Sequence, residues 1–203
     1  MARRISMTEK VCMAVRSRVS AALGGAARGL ACWASALLFV AGAACAQTPS
    51  VPLLDYRTTV PADWTARAPA SSMRLAEYAV APLPGSTDGA EVIVYFFGKG
   101  QGGNVEANLA RWKAQFSTAD GSPVPETITR DSTGGFPITF AEYRGTYARG
   151  IGAGDAANAR TGQALLAGIA ETPRGTLFIQ LFGPAARVAV ERQAFMGFVK
   201  GLK

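Results

Sequence analysis

Hydrophobic and polar positions divide the chain into a leader and a patterned remainder. Residues 30–46 form an uncharged, mostly apolar run with Trp33, Leu37, Leu38, Phe39 and Val40, and beyond it apolar positions recur with the periods of strands and helices. Short segments around Leu53, Tyr56 and Trp64 come first, divided by a Pro61-Ala62-Asp63 turn. Residues 73–80 alternate, with Met73, Leu75, Glu77 and Ala79 opposite Arg74, Ala76, Tyr78 and Val80, which predicts a strand partly exposed on one side. Pro82 and Pro84-Gly85-Ser86 break it. Residues 92–97 are six consecutive apolar or aromatic positions, the pattern of a central strand covered on both faces. A Gly-rich loop over 98–103 follows.

Asn104 suits a helix N-cap, because its side-chain oxygen can accept an unpaired backbone N–H. Val105, Leu109, Trp112 and Phe116 then fall at spacings of four, three and four, on one helical face. Glu106 in the first turn complements the helix dipole. Gly121-Ser122-Pro123-Val124-Pro125 closes that region. Residues 127–131 and 138–147 predict strands, the second rich in β-formers (Ile138, Phe140, Tyr143, Tyr147), and 150–162 predict a Gly/Ala/Asn loop. Two apolar strands, 164–171 and 176–182, are joined by Thr172-Pro173-Arg174-Gly175, with Pro and Gly where a tight turn favours them. Gly183-Pro184 opens a final helix with Val188, Phe195, Val199 and Leu202 along one face. Strands, helix, strands, helix, with prominent hairpins, predict an α+β fold with a mainly antiparallel sheet and packed helices.

Charge adds a compartment. The 203 residues hold 21 Lys or Arg and 14 Asp or Glu, yet six of the basic residues and one acid fall in residues 1–46. The rest is nearly balanced, so the formal +7 is no sign of a nucleic-acid partner. A basic start, an apolar core and the Ala44-Cys45-Ala46 exit describe a secretory signal peptide over 1–46, with Gln47 as the mature N-terminus. The leader is long, so Met7 or Met13 are alternative starts. Residues 47–52 predict a flexible tether, and 53–203 a single domain. A lipoprotein reading competes, with anchoring through Cys45, although Gly42 stands where Leu is usual. Localisation is therefore periplasmic or secreted, or membrane-anchored if Cys45 is lipidated. Cleavage after Ala46 removes Cys12, Cys32 and Cys45 together and leaves no thiol.

The candidate chemistry is sparse. The chain has no His, which removes the commonest general base and histidine metal ligands. Gly98, Gly100 and Gly103 fit the glycine spacing of a phosphate loop between a strand and a helix. A dinucleotide fold also needs a parallel second strand ending in an acid, and Asp120 lies in a turn instead, so the loop is expected to be structural. Glu77 and Glu91 are a conceivable carboxylate pair on adjacent strands. Asp120, Asp131 and Asp155 lack the oxygen spacing of a calcium loop, and the serines have no Ser-x-x-Lys context. Tyr56, Trp64, Tyr78, Tyr143 and Tyr147 are candidates to line a ligand groove, whereas Trp112 falls on the apolar stripe of its helix. Arg111, Lys113 and Arg130 are too few and too mixed with acids for nucleic acid. No catalytic, cofactor-binding or metal-binding residue is assigned.

Six stretches carry a resemblance. Met73 to Tyr78 (MRLAEY) precede Ala90 to Gly98 (AEVIVYFFG), then Gly102 to Asn108 (GGNVEAN) and Arg111 to Phe116 (RWKAQF), with Leu165-Leu166-Ala167-Gly168 and Leu181-Phe182-Gly183-Pro184 later. The chain resembles exported bacterial proteins of unknown function related to the PsbP-like α/β/α sandwich. That resemblance implies helices on both faces of an antiparallel sheet. It also implies a non-enzymatic role in the periplasm or envelope, binding a protein partner or small ligand, with no cofactor. A carboxylate-based hydrolase is the disfavoured alternative.

Overall fold

The computed structural model describes residues 50–132, 134–148 and 159–203. The leader with its cleavage site and Cys45, tether residues 47–49, and most of the 150–162 loop, including Asp155, lie outside the described residues.

The chain first makes a hairpin of its own from β1 (Ser50–Leu53) and β2 (Tyr56–Thr59). Residues 50–52, expected in the tether, are thus paired strand. Leu53 is fully buried and Val51 packs on the core, so burial draws the segment onto the fold. Then come β3 (Trp64–Arg67), β4 (Arg74–Val80), β5 (Ala90–Phe96), helix α1 (Val105–Lys113), β6 (Phe116–Ser117), β7 (Glu126–Asp131), β8 (Ile138–Tyr147), β9 (Arg160–Thr172), β10 (Gly175–Pro184) and helix α2 (Ala185–Lys200). The main sheet has eight strands in the order β3-β4-β5-β10-β9-β8-β6, with β7 also paired to β8. Every pairing among the described residues is antiparallel, so the fold is α+β as the pattern predicts.

Side-chain alternation assigns the two faces. Leu166, Ala170, Leu177, Ile179, Leu181, Val92 and Val94 point to one side and meet Val188, Phe195, Phe198 and Val199 of α2. Leu165, Ala167, Ile169, Phe178 and Tyr143 point to the other and meet Val105, Leu109 and Trp112 of α1. The sheet therefore lies between two helices. β5 and β10 sit at its centre, and Val92, Ile93 and Val94 are buried in succession, which is why residues 92–97 carry no polar alternation.

The helices differ in reach. α2 has 16 residues and is tied down by polar contacts. Trp64 Nε1 donates to Glu191 Oε2 at 2.9 Å, Glu191 also takes the Arg187 guanidinium, and Glu142 on β8 takes Arg192. Lys200 reaches Asp131 at 2.6 Å. After α2, Lys203 exchanges two backbone hydrogen bonds with Arg57, at 3.0 and 3.2 Å, which fastens β2 to the end of the chain.

α1 has only nine residues, shorter than the spacing of its apolar positions predicts. The backbone turns at Ala114 and Gln115, and Phe116 enters β6 opposite Tyr147. Phe116 still packs in the cluster of Trp112. The same burial is reached by a turn back to the sheet, so the apolar period continues where the helix does not. β9 likewise starts at Arg160, earlier than the predicted strand, because Arg160 pairs with Tyr147 of β8.

Candidate functional site

A nine-residue helix is about 14 Å long. Strands lie about 4.8 Å apart, so a seven-strand path is roughly 30 Å wide. α1 therefore cannot roof its face of the sheet, and it packs over β8 and β9. The α1-side residues of β5 and β10 are left as the floor of a groove.

That groove has four connected parts. A hollow of about 880 Å3 lies at the β4–β5 end, with Ala79, Asp88, Glu91, Arg160, Gln163 and Phe182 in its wall. Glu91, Tyr147 and Phe182 pass into a pit of about 30 Å3, bordered further by Tyr95, Gln115 and Gln180. Tyr95, Gln115, Tyr147 and Gln180 continue into a space of about 210 Å3 beside Trp112 and Phe178. Phe97 and Arg111 then lead to a hollow of about 540 Å3 against the glycine loop. Aromatic contacts shape the floor. Tyr147 and Phe182 have centroids 4.5 Å apart, Tyr95 and Phe97 stack at 5.9 Å, and Trp112 meets Phe178 edge-on at 6.4 Å. Tyr95, Phe97, Tyr147 and Phe182 are all half-buried, so their rings offer surface to a ligand.

Of the aromatic residues that the sequence nominates, only Tyr147 lines this groove. Trp64 and Tyr78 pack with Phe198 under α2, and Tyr56 packs edge-on against Phe136. Tyr143 is fully buried, and its hydroxyl donates to the Leu109 carbonyl at 3.1 Å. Burial, with the Glu126 charge adding to it, pushes the Tyr143 phenol up to about 12; burial also raises Tyr78. The groove residues that the pattern did not single out are Tyr95, Phe97, Phe178 and Phe182. Tyr95, Phe97 and Phe178 lie inside apolar runs that hide the face each side chain takes, and Phe182 follows Gln180 in a two-residue apolar segment too short to show one.

The two candidate carboxylates are diagonal neighbours and not directly opposed. Glu77 and Glu91 share a face on neighbouring strands, but Glu77 is opposite Ile93 and Glu91 opposite Ala79. Glu77 is occupied by Arg74 and by the Ala70 backbone N–H. Glu91 has no hydrogen bond or ion pair among the described residues. Asp131 binds Lys200, and Asp120 caps a turn by accepting from Ser122 N at 3.1 Å, with its carboxyl held below the usual range chiefly by the Ser122 hydrogen bonds. Among the described residues no group of acids, His or Cys is arranged to hold a metal ion. Lys113 is engaged by Glu126 at 2.6 Å.

The glycine loop is held by the protein itself. Asn104 Oδ1 accepts from Ala107 N at 2.8 Å, the cap that the sequence predicts. Asn108, buried on α1, donates to the carbonyls of Gly102 and Asn104, each at 2.8 Å, and its own oxygen takes Arg111. Gly102 has φ +91°, and a Cβ there would lie 2.6 Å from the Phe178 ring and 2.9 Å from that of Phe97. A glycine is thus required for close approach of the loop to the groove floor.

No protein-family profile matches the chain, and no curated protein matches it. Among solved structures it is similar to LpqN of Mycobacterium tuberculosis, described as involved in cell envelope biogenesis, at 13% identity over 73% of this chain and 82% of that one, with a TM-score of 0.44.

Proposed function

We propose that the chain is an exported, non-enzymatic protein of the periplasm or envelope that binds an elongated small ligand in the groove beside α1. The observation that carries this reading is the run of half-buried rings, Tyr95, Phe97, Tyr147 and Phe182, along one continuous concavity. Concave, largely aromatic surfaces with a few polar groups are the usual form of small-molecule sites. Gln115, Gln180 and Glu91 supply those polar groups here. A non-enzymatic role is supported by the ionic occupation of Glu77, Glu142 and Glu191, each spent on a structural contact. Export is supported by the basic, apolar and small-residue segments of 1–46. The relationship to PsbP-like sandwiches belongs to the same reading. It is supported by the resemblance of residues 73–116 and by the helix–sheet–helix layering.

The test is to purify the processed protein from its native envelope and identify co-purifying small molecules by native mass spectrometry. A bound species lost in the Tyr147→Ala/Phe182→Ala double variant, with the melting transition intact, is the expected result. A species retained by that variant, or a protein in place of a small molecule, overturns it. Anchoring through Cys45 is the alternative form of the same protein, and lipid-modified Cys45 at the mature N-terminus distinguishes it.

A further inference from the structure

We infer that the narrow pit in the middle of the groove is an ammonium site, and that the groove takes an amphipathic organic cation. This rests on the reading of the groove as a ligand site and specifies its ligand. Glu91 is a half-buried carboxylate that meets no cation or donor among the described residues, in a sequence whose other half-buried and buried glutamates on the sheet and α2 are paired. Removing a carboxylate from water without a partner is unfavourable, and an arriving cation offsets that cost. The rings of Tyr95, Tyr147 and Phe182 border the same pit. Ring faces carry negative potential and attract a cation within about 6 Å of the centroid. Tyr95 already holds a cation of the protein over its ring, with the Arg74 guanidinium carbon 5.6 Å from its centroid.

Size and polarity narrow the class. The pit holds about 30 Å3, room for a small head group only. A primary ammonium fits, with the Glu91 carboxylate for its charge and the amide-bearing Gln115 and Gln180 bordering the same pit. The apolar part of the ligand then extends over Trp112 and Phe178 toward Phe97. Arg111 stands at that far end, which selects a molecule charged at one end only. An anionic head group in the pit would face both Glu91 and the negative ring faces.

The test uses calorimetric titration of the processed protein with decylammonium, decyl sulfate and decyl maltoside, all below their micelle concentrations. Saturable one-to-one binding of decylammonium, at least about tenfold tighter than of the other two, is expected. Glu91→Gln keeps the size and removes the charge. It should weaken decylammonium about tenfold and leave the maltoside unchanged, with an unaltered melting transition confirming the fold. Tyr147→Leu should weaken decylammonium in the same direction. Equal binding of all three probes, or indifference to Glu91→Gln, overturns the ammonium site and leaves the groove as an apolar binding surface. Absence of binding by every probe overturns the ammonium site and counts against the groove itself.

Discussion

Two neighbouring glycines in the loop before α1 illustrate how one residue's surroundings decide the cost of a change. Gly102→Ala places a Cβ 2.6 Å from Phe178 at φ +91°, so strain and collision add, and a loss of about 2–5 kcal/mol is expected by chemical denaturation. Gly103 has φ +80° with only Asn108 Nδ2 nearby, at 3.4 Å; Gly103→Val should cost about 1–3 kcal/mol. Exposed Lys99→Ala should stay within about 0.5 kcal/mol. Tyr143 adds a pH dependence. Its phenol titrates near 12 in the fold against 10.0 for the ordinary value, so the folded state keeps a proton that the unfolded chain releases. Its contribution is fully present below pH 10 and is lost as pH rises from 10 toward 12, with the sign fixed by proton linkage. Alkaline denaturation monitored by tyrosine absorbance should therefore show a steeper loss in the native sequence than in Tyr143→Phe. The latter should also lose about 1 kcal/mol at neutral pH with its hydrogen bond to Leu109. Residues whose role is local were readable in the sequence: Asn104 caps α1 because the cap bond spans three residues. Tyr95 and Phe182 were not readable as groove residues, because their facing depends on pairing between β5 and β10.

At the scale of elements, α2 is held by a buried polar cluster as well as by its apolar stripe. Arg187 and Glu191 are i,i+4 partners with side chains 10% and 4% exposed, and Trp64 of β3 donates to the same carboxylate. Arg187 Nε has no hydrogen-bond partner among the described residues, so the cluster has no spare acceptor to lose. Glu191→Ala should leave the guanidinium buried and uncompensated, at a cost of about 3–5 kcal/mol in denaturant unfolding. Trp64→Phe should cost less, about 1–3 kcal/mol, since it leaves the ion pair in place. Asp55→Ala, which removes an exposed pair with Arg174, should not measurably change stability. The apolar stripe of α2 was plain in the sequence through Val188, Phe195 and Val199, whereas the hydrogen bond to Trp64 and the ion pair to Glu142 were not, since they join residues far apart in sequence. For α1 the stripe misleads at its end. Phe116 keeps the helical period but joins β6, because a period records which side is buried and not the path between buried positions.

For the molecule as a whole, Cys12, Cys32 and Cys45 all precede the expected mature start at Gln47. The processed protein should have an intact mass beginning at Gln47 and an identical melting curve with and without reductant. A shift on reduction would mean that leader cysteines are retained and paired. The fold class was readable from hairpins and turns such as Pro173-Arg174, whereas the strand order was not, because β5 finds β10 across the whole α1–β9 stretch. That central pairing also governs how the chain comes into being. Val92, Val94 and Tyr95 wait for Leu181, Ile179 and Phe178, so the core of the sheet cannot close until the chain has left the ribosome through residue 181. Distant pairings of this kind make closure slow. Under the proposed export such delay is an advantage, since a chain that is still open stays threadable and would acquire its structure only on the far side of the membrane.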